Sequence, residues 1–555
     1  MEVDFYQILK DNPLILIFTV LGFGILVGRI SIAGMLLGST IGVLLVGLFF
    51  GHFGLTINEM VGTFGFALFI FSVGLQAGPS FFSAFAADGV RYVGLSFLVA
   101  IVGVLLTLLF GFLFDLPAGL DAGMMAGALT STPSLAGAQD AFLSGLANTE
   151  DLSIEQAHQN VSIGYAITYL GGTAGVIAFV SQLPKILKID LAAQARALED
   201  QRGMGNRRRF VSRDTLPIIR AYEVNPKEQD RTMAQARQEL GLAAVPLRIK
   251  RGGDFIDASA ETVLHKGDVV SIFAGLDVHH LMQEQLGKEV LDPVLLDYDV
   301  VSRQIVVSTD AAIGKPLREQ DLIGRHGCFA SGVTRSGIEL PFSENIVLNR
   351  GDRLQVTGER SRLDSAAAAI GYIEEEVEET DLVTFSFGIA AGVAIGLILF
   401  KIGNVSVGLG MAGGLLLTGL LIGFAGSVNP TFGRVPQPAK YLLMELGLML
   451  FMARVGLNAG GGIIETLSSV GPLLILSGLA ITLVPACLAY LVGTRMMKLN
   501  PALLLGSVTG AMTSTPALTV LNQAARSPVP ALGYAGTYTI ANVLLTFAGT
   551  FIAMI

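Results

Sequence analysis

The sequence contains no tryptophan, two cysteines and six histidines among its 555 residues. Cys328 and Cys487 lie in different regions and show neither metal-binding nor redox spacing, and the scattered histidines form no metal-ligand pattern. Charged residues make up 15% of the chain and the net charge is −9, which gives no signal for nucleic-acid binding. No nucleophile–base pair is visible either. The sequence therefore predicts no cofactor, no metal, no nucleic-acid partner and no enzymatic activity.

Apolar residues and glycine are what the chain has in abundance. Hydrophobic residues make up 52% of it, and there are 67 glycines, which suit close helix packing in a bilayer. A membrane core of roughly 30 Å needs about 20 helical residues. The N-terminus lacks the basic region of a cleaved signal peptide, so the first apolar run is expected to be retained. We expect membrane spans near residues 13–28, 33–51, 60–78, 91–114, 161–181, 383–400, 405–426, 441–459, 470–493 and 529–555.

One polar motif occurs twice in apolar surroundings. Thr130-Ser131-Thr132-Pro133 is repeated as Thr513-Ser514-Thr515-Pro516, 383 positions later (513 − 130). Proline lacks an N–H and breaks or starts a helix, and a broken helix within a membrane is tolerated only where protein or a water-filled cavity surrounds it. Paired interruptions at matching places are typical of a transporter's binding site. The alternative is that the two prolines merely kink lipid-facing helices.

The duplication extends beyond this motif. Residues 73–78 (VGLQAG) match 455–460 (VGLNAG), and residues 164–169 (GYAITY) match 533–538 (GYAGTY). The second match has a smaller offset, so we expect about 14 additional residues in the first half (383 − 369), around residues 144–159. The chain is thus predicted to contain two copies of one membrane unit, with interrupted segments at 119–147 and 501–526.

Basic residues mark the cytoplasmic side of a membrane protein and predict how the two copies are oriented. They follow or precede spans at every second loop, at Arg29, Arg91, Lys185, Lys188, Arg434, Lys440, Arg495, Lys498 and Arg526. Lys401 is the exception. The pattern fits if each half has five transmembrane helices plus one re-entrant hairpin, because an odd number of spans inverts the second half. Both termini then lie outside and the central region is cytoplasmic. If each interrupted segment instead crosses fully, the halves are parallel and the charge pattern has no explanation.

The central region is also doubled. His265-Lys266-Gly267-Asp268 and Asn349-Arg350-Gly351-Asp352 each precede a short β-like run, Val269–Ala274 and Arg353–Thr357. Gly-Asp after a basic residue indicates a turn into a strand. We therefore predict an inserted α+β region with two lobes. The expected domains are a first transmembrane repeat at 1–182, a linker at 183–209, lobes at 210–294 and 295–372, an acidic linker at 373–382 and a second transmembrane repeat at 383–555. The basic stretch Asn206–Arg209 is expected to lie beside the membrane, where it can contact anionic lipid.

Arg454 is the sharpest candidate for a substrate contact. It lies inside an apolar span, where a charged side chain is costly and indicates function, and its guanidinium can bind a carboxylate in a bidentate fork. Its counterpart in the first half is Ser72, so the site is predicted to be asymmetric in charge. The alternative is that Arg454 extends to the outer surface.

Weaker candidates accompany it. Asp140 follows its motif by seven residues and could bind a substrate ammonium, although a solvated hairpin residue is equally compatible; Gln523 is its counterpart. Glu445 is interpreted as an interfacial partner of Lys440. The hydroxyls of both motifs and the N-termini after the prolines could bind an anion. The substrate-binding candidates are Thr130, Ser131, Thr132, Pro133, Asp140, Arg454, Thr513, Ser514, Thr515 and Pro516, with Gln76, Asn458, Tyr165 and Tyr538 as second-rank candidates for which helix packing is at least as good an explanation.

The duplicated halves, the paired Thr-Ser-Thr-Pro segments and the two central lobes together resemble the aspartate:alanine antiporter family of bacteria. The lobes are similar to the C-terminal regulatory domain of potassium-uptake regulators. The resemblance implies exchange of external L-aspartate for internal L-alanine across the inner membrane, which would move one negative charge inward per cycle. It further leads us to expect a homodimer. A proton- or sodium-coupled dicarboxylate or amino-acid carrier is the nearest alternative, and a ligand-gated channel is a more distant one, since no selectivity-filter pattern is visible.

Overall fold

The computed structural model describes residues 5–32, 35–81, 89–147, 149, 152–201, 217–225, 231–232, 235, 244–258, 261–335, 337–374, 380–402, 405–428, 432–433 and 435–555. The chain forms two compact units. The membrane unit comprises Met1–Ala195 and Val377–Ile555, and the central unit comprises Arg196–Glu376. The basic stretch Asn206–Arg209, Arg434 and residues 375–379 of the acidic linker lie outside the described residues.

The first half of the membrane unit is helical. Its helices are α1 (Phe5–Asp11), α2 (Pro13–Gly28), α3 (Ser39–His52), α4 (Glu59–Phe81), α5 (Gly89–Phe114), α6 (Leu120–Ala128), α7 (Thr132–Leu143), α8 (Ile154–Ile186) and α9 (Leu191–Gln201). Helix α8 begins with a capping box, in which the Ser153 hydroxyl accepts from the Gln156 N–H and the Gln156 side chain accepts from the Ser153 N–H. This early start accounts for part of the additional length expected around residues 144–159.

The central unit contains two five-stranded sheets. The first is built from β3 (Ile218–Glu223), β4 (Ala244–Arg251), β5 (Asp254–Asp257), β6 (Val269–Ala274) and β7 (Glu289–Val290), with helices α10 (Leu276–Gln285) and α11 (Pro293–Leu296). The second is built from β8 (Val300–Val307), β9 (Phe329–Arg335), β10 (Ile338–Leu340), β11 (Arg353–Glu359) and β12 (Gly371–Ile373), with helices α12 (Leu322–His326) and α13 (Arg360–Ile370). The predicted strands at Val269–Ala274 and Arg353–Thr357 are both present.

The second half of the membrane unit repeats the helical pattern. It contains α14 (Leu382–Gly396), α15 (Gly410–Val428), α16 (Gln437–Gly460), α17 (Ile463–Ser469), α18 (Gly471–Arg495), α19 (Pro501–Ala511), α20 (Thr515–Ala525) and α21 (Val529–Met554). Within the described residues, seven helices are long and apolar enough to cross a membrane: α4, α5, α8, α15, α16, α18 and α21. The pair α1 and α2 passes the same test together but bends by 111°. The chain is therefore a multi-pass membrane protein by length and composition of its helices.

Three expected spans, 33–51, 383–400 and 405–426, are wrong at one end. Helix α3 starts at Ser39 and follows a strand pair, β1 (Ser31–Ile32) and β2 (Met35–Leu36). The chain between α14 and α15 forms a second antiparallel pair, β13 (Leu399–Ile402) and β14 (Val405–Gly408). Alternating Val405 and Val407 favour a strand, and the Gly-Asn sequence between the strands is a hairpin signal. Apolar runs of this length do not by themselves separate strands from helices.

Glycines let helices of the two halves approach closely. A Cβ on Gly74 of α4 would lie 2.9 Å from the Cα of Gly419 in α15, and a Cβ on Gly47 of α3 would lie 3.0 Å from the Cα of Gly456 in α16. Gly74 and Gly456 are equivalent positions of the repeat (456 − 74 = 382). The same glycine crossing is therefore made twice, each time between one helix of each half, and the absence of side chains allows backbone contact across it.

The two sheets of the central unit have the same construction. Their strand orders are β5-β4-β6-β3-β7 and β10-β9-β11-β8-β12, which correspond strand for strand. The edge of the Phe273 ring packs on Phe329 with centroids 5.1 Å apart, so the first sheet contacts the second through aromatic side chains. The lobe boundaries at 210–294 and 295–372 stay predictions, because residues 202–216 lie outside the described part of the chain.

Each lobe contains a buried aspartate that forms an ion pair with an arginine at an equivalent position. The Arg251 guanidinium contacts Asp268 at 2.8 Å, and 84 positions later the Arg335 guanidinium contacts Asp352 at 2.7 Å. Burial alone would raise the pKa of Asp268, but hydrogen bonds from the Arg251 guanidinium and the His265 N–H outweigh burial and lower it. The two Gly-Asp turns noticed in the sequence are therefore anchored by one repeated ion pair.

Candidate functional site

The helix is interrupted at both Thr-Ser-Thr-Pro motifs. Thr130 and Thr513 adopt left-handed backbone conformations, with φ of 53° and 52°. Such a conformation is uncommon for a β-branched residue, and it occurs here at equivalent positions of the repeat. Each proline lies in the first turn of the following helix, where its missing N–H costs nothing. The sequence alone predicts these two interruptions correctly.

The two interruptions touch each other. The Thr130 hydroxyl donates to the Met512 carbonyl at 2.8 Å, and the Thr513 hydroxyl donates to the Thr130 carbonyl at 3.2 Å. These bonds satisfy carbonyls that an interrupted helix leaves without partners. The hydroxyls of Thr130 and Thr513 thus fasten one broken segment to the other.

The remaining motif residues are also engaged locally. The Ser131 hydroxyl caps α7 by accepting from the Ser134 N–H, whereas the buried Ser514 hydroxyl has no partner among the described residues. Thr132 shares a hydrogen bond with the Tyr165 hydroxyl at 3.3 Å. In the second half, the equivalent threonine and tyrosine, Thr515 and Tyr534, are 2.9 Å apart. The motif hydroxyls therefore stabilise the region where the two interrupted segments meet.

A small cavity is lined in part by α7, the helix that follows the first motif. It is lined by three helices of the first half and two of the second, and its polar lining comes from both halves. Its volume of about 10 Å³ leaves room for little more than one water molecule. A larger ligand fits only if the surrounding helices move. The lining residues are Gly62, Thr63, Phe66, Ala136, Gln139, Asp140, Leu143, His158, Met411, Phe451 and Arg454.

Asp140 reaches the cavity from α7 and is 2% exposed. Its Oδ2 accepts from the Ala412 N–H at 2.9 Å, in the first turn of α15. A helix N-terminus favours a carboxylate, and Gly410 allows the approach because a Cβ there would collide with Asp140 Oδ2. The other oxygen, Oδ1, is buried and has no hydrogen-bond partner among the described residues. One face of this carboxylate is therefore available to a ligand.

Arg454 reaches the same cavity from α16. It is 7% exposed, and its Nη2 donates to Glu59 Oε1 at 2.5 Å, at the first residue of α4. The stem of the arginine crosses α4 at Gly62, where a Cβ would collide with Arg454 Cδ. The structure thus brings a buried carboxyl group, that of Asp140, and a buried guanidinium, that of Arg454, to one cavity.

Three further polar residues, Thr63, Gln139 and His158, line this cavity and were not singled out in the sequence. Gln139 donates from Nε2 to the Ser162 hydroxyl at 2.8 Å. His158 is buried, and its Nε2 has no hydrogen-bond partner among the described residues. Gln139 precedes Asp140 and its counterpart Asn522 is also an amide, which was a usable signal. Nothing in the sequence links His158 to Arg454.

The other expected site residues do not line this cavity. Tyr165 and Tyr538 pack in equivalent ring pairs, with Tyr169 at 4.9 Å and Tyr534 at 5.1 Å between centroids. The Asn458 carbonyl accepts from Gln159, which joins α16 to α8. Gln76 is half-buried within α4. Glu445 lies 3.5 Å from the Ser39 hydroxyl, at the start of α3.

Both membrane halves match one known family. Residues 16–185 and 384–554 match the predicted permease membrane region of the aspartate–alanine exchanger family. The chain belongs to this family. Membership of the exchanger family indicates a permease rather than an enzyme. Residues 303–371 match a TrkA-C domain, which covers the second sheet of the central unit. No solved structure matches the chain.

The helices that follow the two motifs differ in exposure. Every residue from Thr132 to Phe142 in α7 is buried. In α20, its counterpart, the exposed residues are Thr515, Pro516, Thr519, Gln523 and Ala524. This face is mostly polar, which fits contact with water better than contact with lipid.

The helix N-termini differ in the same way. Gly410, at the start of α15, lies against Asp140, whereas a Cβ on Gly38, at the start of α3, would meet nothing within 4 Å. Both glycines have positive φ, 65° and 86°, and they are equivalent when Gly47 is aligned with Gly419 (419 − 47 = 410 − 38). The contact between Asp140 and the start of α15 therefore has no repeat-related copy at the start of α3 within the described part of the chain.

Proposed function

We propose that the chain is a secondary transporter that exchanges external L-aspartate for internal L-alanine. The observation that carries the proposal is that Asp140 and Arg454, both buried, line the same cavity in a member of the aspartate–alanine exchanger family. Aspartate presents an ammonium and a side-chain carboxylate, for which the Asp140 carboxylate and the Arg454 guanidinium are suitable partners. The substrate pair itself follows from the family's name.

The two charged residues have separate roles in this proposal. Asp140 Oδ1 accepts from the substrate ammonium while Oδ2 stays on the N-terminus of α15. Arg454 binds the side-chain carboxylate of aspartate, for which a planar guanidinium is well suited. Both interactions are stronger in a buried site than in water, because the local dielectric is lower. Gln139 and His158 line the same space and are additional contacts for a bound amino acid.

Alternating access follows from the difference between the two halves. We propose five transmembrane helices and one re-entrant hairpin in each half, oriented oppositely. In the state seen here α7 is sealed against α15 through Asp140. In the other state α20 would close against α3, bringing Gln523 to the N-terminus beside Gly38, while α7 becomes exposed. The small cavity volume fits this proposal, because substrate entry requires the helices around Asp140 and Arg454 to separate.

The proposed location is the bacterial inner membrane, with both termini periplasmic and the central unit cytoplasmic. This orientation is supported by the basic residues beside alternate helix ends, such as Arg29 and Lys185. The central lobes are proposed to regulate transport or to mediate contact in a homodimer.

Counterflow in proteoliposomes tests the function. Labelled aspartate should enter vesicles that are preloaded with alanine and should not enter empty vesicles. An inside-positive potential should accelerate uptake, since one negative charge moves inward per cycle. Uptake into empty vesicles that follows an imposed proton or sodium gradient would overturn exchange in favour of a coupled carrier. Single-channel currents would overturn it in favour of a channel.

A further inference from the structure

The ion pair between Arg454 and Glu59 joins two side chains in different environments. The Arg454 side chain is 9% exposed, whereas the Glu59 side chain is 63% exposed. Glu59 is the first residue of α4, and its carboxylate extends from that helix start to the buried guanidinium. Among the described residues, the Arg454 guanidinium donates a hydrogen bond to Glu59 and to no other residue. The buried cation is therefore neutralised by a carboxylate that can leave for water.

The pair joins one helix of each half, and the repeat-related positions do not repeat it. The repeat-related position of Arg454 is Ser72 (454 − 382), and that of Glu59 is Tyr441 (59 + 382). A pair that served only to hold the repeated helices together would be expected in both copies, as the glycine crossings are. It occurs at the one of the two repeat-related places where Arg454 lines the cavity with Asp140, which connects it with the ligand.

A buried arginine without an anion is strongly unfavourable. Aspartate carries a second carboxylate that can neutralise Arg454, but alanine does not. An exchanger that carries both must therefore compensate the cation when alanine is bound. A displaceable internal carboxylate meets this requirement.

We propose that Glu59 is a substitute carboxylate that occupies Arg454 when the bound substrate lacks a side-chain carboxylate. Bound aspartate displaces Glu59 into water, and bound alanine leaves the Glu59–Arg454 pair intact. Glu59 is thus a specificity-determining residue that allows one site to accept both a dicarboxylic and a monocarboxylic amino acid. This inference rests on the proposed exchange function.

Glu59→Gln is expected to change the homoexchange rates of aspartate and alanine to different extents. Aspartate–aspartate exchange should stay within about twofold of wild type, and alanine–alanine exchange should fall on the order of tenfold, because Arg454 then lacks an anion. Glu59→Asp keeps the charge and should restore part of the alanine exchange. Glu155→Gln is the matched control, because Glu155 is an exposed glutamate in the first turn of α8. It should leave both exchanges unchanged.

Binding provides a readout that does not need transport. In Glu59→Gln, aspartate no longer competes with a resident carboxylate, so its affinity should rise about tenfold, measured as the aspartate concentration dependence of the melting temperature in detergent. Unchanged or weaker aspartate affinity would overturn the proposal, as would equal loss of both homoexchanges. Failure of the proposed function is distinguishable, because wild-type vesicles would then exchange neither amino acid.

Discussion

The Asp140 carboxylate accepts a hydrogen bond of 2.9 Å from the Ala412 backbone N–H, 272 residues later in the chain. This bond connects the hairpin of the first half to a helix N-terminus of the second half. Asp140 also lines the cavity that contains Arg454, and its Oδ1 has no hydrogen-bond partner among the described residues. One residue therefore contributes both to the closed contact and to the candidate ligand site.

Asp140→Asn should lower exchange by about 10- to 100-fold, which corresponds to the loss of one charge-assisted hydrogen bond to the substrate ammonium. The asparagine oxygen can still accept from Ala412, so the closed contact should survive. The measurement is the initial rate of aspartate–alanine counterflow. Asp190→Asn is the matched control, since Asp190 also accepts a backbone N–H near a helix start but is exposed. Equal rates for Asp140→Asn and wild type would remove Asp140 from the ligand site.

Gly62→Ala should reduce exchange about tenfold by displacing Arg454. A Cβ at position 62 would collide with the arginine stem, so the guanidinium could not keep its position in the cavity. Gly22→Ala provides the control, because a Cβ on that α2 glycine would meet nothing within 4 Å. Counterflow rates measure both variants, and unaltered transport by Gly62→Ala would contradict the position assigned to Arg454.

Ser39→Cys combined with Gln523→Cys should form a disulfide in the state opposite to the one described here. The repeat predicts this proximity, because Asp140 contacts the start of α15 and Gln523 is equivalent to Asp140. The experiment uses a background in which Cys328 and Cys487 are replaced by serine. Oxidation should block counterflow and reduction should restore it.

The control for this cross-link pairs Ser39→Cys with Ser468→Cys, an exposed position in α17. That pair should neither cross-link nor lose activity on oxidation. If Ser39→Cys and Gln523→Cys fail to cross-link under conditions that support transport, the proposed closure of α20 against α3 is wrong.

The first lobe should lose stability as the pH falls below about 6.5. His279 is buried, and its ring contacts the Tyr222 hydroxyl at 2.8 Å and the Ile218 carbonyl at 2.9 Å. Burial is the largest cause that lowers the pKa of His279 from 6.5. The unfolded lobe therefore binds more protons than the folded lobe below this pH, so the free energy of unfolding decreases as the pH falls.

Hydrogen exchange of the full chain measures this effect. After correction for intrinsic exchange rates, protection of β3 and β6 should be lower at pH 5.5 than at pH 7.5. His279→Gln should reduce the difference between the two pH values, because glutamine does not titrate. A pH dependence that His279→Gln leaves intact would assign it to other groups.

The backbone conformation of the site is easier to predict from the sequence than the contacts between its side chains. The prolines and the repeated hydroxyls predict both interruptions, because their cause is local. Glu59 is 395 residues from Arg454, so only the packing of α4 against α16 brings them together. The hydroxyls of Thr130 and Thr513 were expected near an anion, yet they bind each other's segments. A threonine hydroxyl can donate to an anion or to a backbone carbonyl, and the surrounding sequence does not distinguish between these two partners.

The strand pairs between α2 and α3 and between α14 and α15 illustrate a second limit. Apolar residues such as Ile402 and Val405 continue the hydrophobic run of the adjacent helices, so hydropathy extends the expected spans through them. The β-branched alternation and the intervening glycine are weaker signals than the overall hydropathy. Helix ends are therefore less predictable than helix existence in this chain.

The central claim is that Arg454 holds the side-chain carboxylate of an acidic substrate in the cavity beside Asp140. Its most direct test is uptake of labelled aspartate by alanine-loaded proteoliposomes containing Arg454→Ala, with Arg495→Ala, an exposed arginine at the end of α18, as the control. The account predicts that Arg454→Ala abolishes aspartate uptake while Arg495→Ala transports at the wild-type rate. Aspartate uptake by Arg454→Ala at the wild-type rate would contradict it.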